Sequence, residues 1–323
     1  MRVLQSCHSP FRNVFAGLMA VLFIIRLAAA GEGRLPANRG ELRYWLENMV
    51  VWHDFSVAEV EAATGLPKAA IEADLREFGI VPGSHGPAAG NLRMAPYPGG
   101  RHPRIGFLDG AVNPQRETKI SVFTPWDPAS YVVADVPEAI WCQKGLLYLA
   151  HTHVATVWTK ENTVLPRLEW NRREDGSLDI ERVLPNGIAF GAKAVAGPNA
   201  IRMELWLRNG SKEPFSDLRV QNCIMLKGAR GFTELTNTNK VISNPYVACR
   251  SDDGKRWVIS AWTPCHRPWA NAPVPCLHSD PKFPDCAPGE TKRLQGWLSF
   301  YEGTDIQAEF KRIEALKWGD ARL

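Results

Sequence analysis

The sequence predicts a mainly β protein, in which a two-layer antiparallel β-sandwich follows a small three-helix unit. In residues 201–207 apolar side chains alternate with polar or charged ones, the pattern of a strand with one buried face. Successive strands without intervening helices favour a sandwich over a parallel sheet. From residue 119 onward, short β-type segments are separated by turn dipeptides at Asp175-Gly176, Asn186-Gly187, Asn209-Gly210 and Asp253-Gly254.

The first thirty residues have the pattern of an export signal. Arg2 and Arg12 precede an apolar run at 14–25, and the alanines at 28–30 offer a cleavage site before Gly31. Arg26 interrupts the run, which is also too short to span a bilayer. We therefore expect an exported protein, periplasmic or extracellular, without stable membrane insertion.

The charge balance of the remaining chain argues against nucleic-acid binding. Residues 1–30 contain three of the 38 basic residues and none of the 34 acidic ones, which leaves 35 basic against 34 acidic residues. A nucleic-acid footprint needs a clustered excess of lysine and arginine. The mature chain also lacks a Walker A loop, a glycine-rich dinucleotide fingerprint and a G-x-S-x-G elbow, so nucleotide-dependent chemistry and serine hydrolysis have no support.

Residues 41–80 predict the three helices. Apolar residues at helical spacing favour a helix over 41–52, Ser56 can cap a second over 57–63, and Pro67 begins a third that continues to Phe78. The second half resembles a helix-turn-helix with Gly65 at the turn. Its last helix is rich in acidic residues that would repel DNA phosphates, so a structural role is expected.

Three further segments complete the predicted organisation. Residues 81–103 are rich in proline and glycine and predict a linker. Residues 104–302 form the predicted β-sandwich domain. In residues 303–323 the apolar residues Phe310, Ile313 and Leu316 predict a short amphipathic helix.

The segment 276–302 resembles the closing part of the galactose-mutarotase-like β-supersandwich proteins. The likeness rests on the pair Cys276-Leu277, on an F-P pair at 283–284 and on a P-G-E sequence at 288–290 before a final strand. It extends over about residues 105–302 and implies a sugar-binding or sugar-processing function. The whole chain also resembles a group of exported bacterial proteins, a likeness that implies no activity.

Both catalytic positions of that superfamily differ in this chain. The resemblance places the late catalytic glutamate at His278 and the mid-domain catalytic histidine at Cys223, directly after Asn222. Mutarotation by a His/Glu pair is therefore not expected, although the concave sugar-binding sheet could persist.

Histidines supply the candidate ionisable cluster. His151 and His153 are two residues apart, on one face of a strand predicted to continue to about Trp158, so they could share acid/base work or a metal ion. They could equally be hydrogen-bonded core residues. If the late loop lies over this strand, His266, His278 and Asp280 would join them. Cys-x-x-Cys and His-Glu-x-x-His spacings are absent, so we assign neither a metal ligand nor a cofactor from the sequence.

Six cysteines remain after residue 30, and the sequence leaves their state open. An even number in an exported protein is typical of disulfides, and Cys265, Cys276 and Cys286 share one proline-rich region in which a bridge could form. Buried thiols are the alternative.

Sugar recognition needs a flat aromatic surface with planar polar partners. Trp206 is the clearest platform, because Arg202 and Glu204 share its strand face. Other tryptophans in or beside strands could equally fill the core, and the segment 106–119 could be a ligand loop or only a turn. Further polar partners would come from Arg104, Arg116, Glu117 and His266.

Two functional classes follow from these observations. The first is an exported carbohydrate-binding or carbohydrate-active protein that uses the sheet face around Trp206. The second is an acid/base sugar-processing enzyme, either an epimerase, a hydrolase or a lyase, centred on His151, His153 and His278, with or without the assistance of a metal. The partner in both cases is a carbohydrate or glycan.

Overall fold

A computed structural model describes residues 33–84, 90–99, 117–150, 154–320 and 322–323. Its helices are α1 (Arg39–Leu46), a π-helical segment (Glu47–Trp52), α2 (Val57–Thr64), α3 (Lys68–Phe78), α4 (Val157–Lys160) and α5 (Ile306–Ala315). The first four confirm the predicted helical unit, and α5 confirms the predicted C-terminal helix. Among the described residues, no helix is both long and apolar enough to cross a membrane.

The N-terminal cap and the turn glycine predicted for the helical unit are both observed. The Ser56 side chain accepts a hydrogen bond from the backbone N–H of Glu59, and the Glu59 carboxylate accepts one from the backbone N–H of Ser56, which completes a capping box at the start of α2. Gly65 ends α2 in the left-handed conformation at φ 76°, where a glycine carries no steric cost. Gly79 does the same for α3 at φ 65°.

The strands of the described residues form two antiparallel sheets, which confirms the predicted sandwich. The first sheet has the order β1-β2-β3-β9-β14-β13, with β4 paired to β3, and the second has the order β10-β11-β12-β15-β8-β7-β6-β5. The strand ranges are β1 Met94–Pro96, β2 Lys119–Thr124, β3 Asp127–Cys142, β4 Gly145–Leu149, β5 Asn171–Arg172, β6 Leu178–Val183, β7 Ile188–Ala196, β8 Ala200–Asn209, β9 Val220–Met225, β10 Lys240–Ser243, β11 Tyr246–Arg250, β12 Arg256–Thr263, β13 Cys265–Asn271, β14 Cys276–Pro281 and β15 Thr291–Glu302.

The main hydrophobic core lies between the two sheets. On β8 the alternation predicted from the sequence is observed, because Ile201, Met203, Leu205 and Leu207 are buried in this core. The opposite face of β8 carries Arg202, Glu204 and Trp206. The outer face of the second sheet therefore presents the side chains that the sequence proposed as ligand partners.

The helical unit packs directly on the outer face of the first sheet. Leu46, Met49 and Ile71 share one hydrophobic cluster with the sheet residues Cys223 and Cys276. Residues 94–96 of the predicted linker form β1, which pairs with β2. The described residues from 33 onward form one compact unit, so the helices and the sandwich are joined by buried contacts and not only by a linker.

Two local predictions are wrong. The strand expected to continue to about Trp158 ends at Leu149, and residues 157–160 form α4, whose Thr156 cap accepts a hydrogen bond from the backbone of Thr159. Asn209-Gly210 does not close a hairpin, because the chain leaves β8 in the second sheet and enters β9 in the first. The Asn209 side chain instead donates hydrogen bonds to the backbone carbonyls of Glu213 and Cys286. Asp175-Gly176, Asn186-Gly187 and Asp253-Gly254 connect consecutive paired strands, as predicted.

Candidate functional site

A charged groove on the outer face of the second sheet contains two of the predicted ligand residues. Its volume is about 990 Å³. Strand register brings the lining together, since Trp206 of β8 lies between Gly191 of β7 and Arg293 of β15, and Glu204 lies opposite Lys193. We call it the outer groove, lined by Arg172, Arg173, Glu174, Asp175, Ser177, Asp179, Glu181, Lys193, Glu204, Trp206, Arg293 and Leu323.

The Trp206 indole lies flat on the sheet. A Cβ atom added to Gly191 would be 2.2 Å from Trp206 Cζ2, so the ring occupies the space directly above this glycine. The indole N–H donates to Glu181 Oε2 at 3.2 Å, which fixes the orientation of the ring. Trp206 is half-buried, and its remaining surface contributes to the outer groove.

The charged residues of the outer groove hold one another in place. Arg173 binds both carboxylate oxygens of Asp179, and the pKa of Asp179 is lowered chiefly by this hydrogen bond. Glu204 accepts hydrogen bonds from Arg293 and from Gln295 Nε2, the latter at 2.8 Å. Paired guanidinium and carboxylate groups keep part of their hydrogen-bonding capacity, because each has more donors or acceptors than one partner uses. The lining can therefore bind hydroxyl groups without first losing its own pairs.

Arg202 and Glu117 do not take part in this site. Arg202 lies on the same strand face as Trp206 but donates a hydrogen bond to the backbone carbonyl of Trp318 and packs against Trp297. Glu117 is buried, with Arg182 Nη2 2.7 Å and the Tyr148 hydroxyl 3.2 Å from its Oε2 atom. The sequence pattern identified their polarity but not their partners, which come from distant segments.

A second group of ionisable residues lies buried on the outer face of the first sheet. The candidate ligand atoms of Cys223, Cys276 and His278 all lie within 4.8 Å of one another, as do those of Asp135, Glu138 and Cys223. Cys223 and His278 are the two positions at which the superfamily resemblance places the catalytic pair. Strands β9 and β14 bring them together. We call Asp135, Glu138, Cys223, Cys276 and His278 the buried cluster.

His278 is fixed on three sides. Its Nδ1 atom lies 2.9 Å from the backbone carbonyl oxygen of Asn222, and its Nε2 atom lies 3.1 Å from Cys276 Sγ. The Trp269 ring stacks on the imidazole at a centroid distance of 3.9 Å. Trp269 and Arg267 in turn donate hydrogen bonds to Asp280, whose Oδ1 lies 3.9 Å from His278 Nδ1. The imidazole therefore has one set position and one set ring plane.

Proximity shifts the ionisation of the buried cluster. A hydrogen bond from Cys223 and the neighbouring His278 lower the pKa of the Cys276 thiol to about 5, although burial opposes this. Burial raises the pKa of Glu138 to about 7, and the nearby Asp135 adds to the effect. For His278, burial would lower the pKa, but the contact with Cys276 and the nearby carboxylates raise it. The contact between the two side chains therefore lowers the pKa of Cys276 and raises that of His278.

The remaining predicted site residues do not join these two groups in the described part of the chain. His266 is exposed and lines a separate pocket of about 280 Å³ together with Arg267, Gln221 and the buried Asp280. His151, His153, Arg104 and Arg116 lie outside the described residues, as do residues 106–116 of the predicted ligand loop. Their place in a site stays a prediction.

The late cysteines are thiols and not a disulfide staple. Cys265, Cys276 and Cys286 are all unbridged, so the bridge that their shared proline-rich region suggested is not formed. Cys286 Sγ lies 3.4 Å from the Glu290 carbonyl oxygen, and Cys265 Sγ lies 3.5 Å from the Ser279 hydroxyl. Strand pairing of β13 with β14 orders this region without a covalent link.

Sequence reasoning missed the carboxylates of the buried cluster and most of the outer groove. Asp135 and Glu138 lie inside the apolar stretch 132–140 of β3, where charged residues are unusual. Their presence there was the sequence signal that could have identified them. The groove residues of β5 and β6 carry no local signal. Only the pairing of their strands with β7 and β8 places them beside Trp206.

Comparisons with known proteins give no family. No protein-family model matches the chain, and no curated protein matches it as a relative. Solved structures that it resembles include the Slr1438 protein from Synechocystis sp. PCC 6803, with a TM-score of 0.34 and 10% identity over 68% of this chain and 97% of that one. Another is a protein described as a kojibiose phosphorylase, from the human microbiome, with a TM-score of 0.33 and 6% identity over 58% of this chain and 26% of that one.

Both TM-scores are below 0.5. Neither likeness therefore assigns a substrate or a reaction to this chain. The fold class of the chain is an antiparallel β-sandwich with a helical N-terminal part. The more specific resemblance to the galactose-mutarotase-like proteins stays a prediction.

Proposed function

We propose that this chain is an exported carbohydrate-binding protein whose ligand lies in the outer groove against Trp206. The observation that supports this function is the indole held flat over Gly191 in a groove whose other lining is almost entirely charged. A pyranose has an apolar C–H face that packs on an aromatic ring, and its hydroxyl groups need hydrogen-bonding partners around the rim. The outer groove supplies both in one place.

The size and charge of the groove fit a short glycan. Its volume of about 990 Å³ is at the upper end of the range of small-ligand sites. The lining combines four basic with five acidic side chains, so the groove does not have the single-sign charge that a nucleic acid would need. Hydroxyl groups of a neutral or mildly acidic sugar suit such a mixed surface.

Replacing the proposed platform tests this function. Trp206→Ala should weaken glycan affinity by about 1 to 3 kcal/mol, the range for loss of an aromatic stacking partner. Trp52→Ala is the matched control, because Trp52 is also half-buried but lies in the π-helical segment, away from the outer groove and from the 280 Å³ pocket. A glycan array on the mature protein would select the ligand, and calorimetry would compare the two variants.

Two outcomes would contradict the proposal. One is that the wild-type protein binds none of a broad set of neutral and acidic glycans. The other is that Trp206→Ala binds the selected glycan as tightly as the wild-type protein does.

A second candidate function is acid/base sugar chemistry near His278. The observation in its favour is the pocket of about 280 Å³ beside the buried cluster, where Gln221 links the pocket lining to Glu138 through a 2.8 Å hydrogen bond. A carboxyl group with a pKa of about 7 suits proton transfer at neutral pH. Reducing-end assays on the selected glycan would show turnover in the wild-type protein if this candidate is correct.

A further inference from the structure

We propose that the buried cluster is a binding site for one zinc-like divalent metal ion, with Cys223, Cys276, His278 and Glu138 as its ligands. This site is separate from the outer groove. It lies on the opposite sheet, and it does not depend on the carbohydrate proposal. Two thiolates, one imidazole and one carboxylate are the donor types that tetrahedral zinc sites use.

The donor atoms are close enough for one ion. Given metal–sulfur bonds of about 2.3 Å and metal–nitrogen bonds of about 2.0 Å, two donors of a tetrahedral site lie roughly 3.5 to 3.8 Å apart. Cys276 Sγ and His278 Nε2 are 3.1 Å apart, and all three donors including Cys223 Sγ fall within 4.8 Å of one another. Small rotations of these three side chains would bring them to such separations, whereas Glu138 is within 4.8 Å only of the Cys223 donor in this group.

The tautomer of His278 is the one that a metal ligand needs. The Nδ1 atom faces a backbone carbonyl oxygen, which only accepts hydrogen bonds, so Nδ1 must carry the proton. In the neutral ring, the lone pair is then on Nε2, which points at the cysteines. Donation from the far ring nitrogen to a backbone carbonyl is the usual outer support of a metal-bound histidine. Stacking on Trp269 adds a further constraint on the ring plane.

The fourth ligand comes from β3. Carboxylate oxygens of both Asp135 and Glu138 approach Cys223 Sγ. Gln221 Nε2 donates a hydrogen bond of 2.8 Å to Glu138 Oε2, which orients this carboxylate. Asp135 lies 3.8 Å from the ammonium group of the fully buried Lys119, which balances its charge. We therefore assign Glu138 as the fourth ligand, whose carboxylate would move toward Cys276 and His278 when the ion binds.

The burial of the donor set fits a closed metal site. Metal binding would release the thiol protons, and the charge of a divalent ion would offset that of the thiolates it forms. All the proposed ligands are buried, Cys276 and His278 to 3% exposure, which suits a closed structural site and not a thiol nucleophile that must reach substrate.

Metal titration of the reduced, chelator-treated mature protein tests the site. We expect one Zn²⁺ per chain by elemental analysis, and a thiolate-to-metal charge-transfer absorption when Co²⁺ is used as the probe. Cys223→Ser, Cys276→Ser and His278→Asn should each weaken Zn²⁺ binding by roughly a hundredfold or more, since even outer-shell changes cost about ten- to a hundredfold. Glu138→Gln should weaken binding and retain the charge-transfer absorption.

Cys142→Ser is the matched control. Cys142 is as buried as Cys276, at 3% exposure, but lies outside the buried cluster. This variant should bind Zn²⁺ like the wild-type protein. If a ligand variant fails to fold, the titration of the wild-type protein still decides the question.

Three results would overturn the proposal. The reduced wild-type protein could show no charge-transfer absorption with Co²⁺ and no retained Zn²⁺. Peptide mapping of the protein purified without reductant could find a Cys223–Cys276 disulfide. Finally, Glu138→Gln and the cysteine variants could bind Zn²⁺ as tightly as the control.

Discussion

Buried charged residues in this sandwich are paired with partners that lie far away in sequence. Glu117 and Arg182 are both about 95% buried, and their side chains meet at 2.7 Å between the start of β2 and strand β6. The Tyr148 hydroxyl donates a second hydrogen bond to Glu117, and burial raises the pKa of Tyr148 well above its usual range. Removing one partner of such a pair leaves the other charge in an environment without water.

Arg182→Met should therefore destabilise the protein strongly. We expect a loss of about 3 to 5 kcal/mol in the free energy of unfolding, because Glu117 would stay buried without its counter-ion. The double variant Arg182→Met/Glu117→Leu should recover much of this loss, since it removes both charges. Urea unfolding followed by tryptophan fluorescence measures both.

Lys144→Met is the control for this experiment. Lys144 pairs with Glu213 on the surface, where both side chains are mostly exposed, so its loss should have little effect on stability. An Arg182→Met variant as stable as Lys144→Met would contradict the buried-pair argument.

At the scale of elements, the pairing of β7 with β8 shapes the outer groove. Gly191 faces Trp206 across this pair, and the missing side chain leaves room for the ring. A Cβ atom at Gly191 would also lie 2.4 Å from the carbonyl oxygen of Ile180 on β6, so neither neighbour could move aside easily. Glycine at this position is required by close approach of the ring and the neighbouring strand.

Gly191→Ala should lift the Trp206 ring from the sheet. We expect weaker glycan binding, comparable to that of Trp206→Ala, together with a stability loss of about 1 to 3 kcal/mol from overpacking. Calorimetric titration with the selected glycan and thermal unfolding measure the two effects.

Gly296→Ala separates the two effects. Its Cβ would lie 2.6 Å from Trp262 Cζ2 inside the sandwich core, so this variant should lose stability while its glycan affinity changes little. Equal loss of affinity in both variants would mean that Gly191 acts through stability and not through Trp206.

At the scale of the whole molecule, the helical unit is part of the sandwich fold. Its apolar faces cover the outer side of the first sheet, directly beside the buried cluster. Met49 and Ile71 are fully buried in the shared hydrophobic cluster, so their burial depends on the sheet as well as on the helices. Folding of the two parts should therefore be coupled.

Met49→Ala tests this coupling. The free energy of unfolding should fall by about 2 to 5 kcal/mol, the range for such a truncation in a core. Helical circular dichroism and tryptophan fluorescence should still change in one common transition. Loss of the helical signal at lower denaturant than the fluorescence change would show that the helical unit unfolds independently.

The sequence by itself determined the fold class and most helix boundaries. Ser56, Gly65 and the alternation along 201–207 are local signals, because capping, left-handed turns and strand amphipathicity each depend on a few neighbouring residues. The face shared by Glu204 and Trp206 followed from the same two-residue period. The export signal and the histidine pair at 151 and 153 stay predictions.

Only the tertiary structure decided which polar residues come together. Arg202 shares the face of Trp206 but is covered by the C-terminal segment at Trp318, and Glu117 is paired inside the protein with Arg182. Cys223 and His278 are 55 residues apart in the chain and become neighbours through the pairing of β9 with β14. Strand order across two sheets sets these contacts, and the local side-chain pattern carries no record of that order.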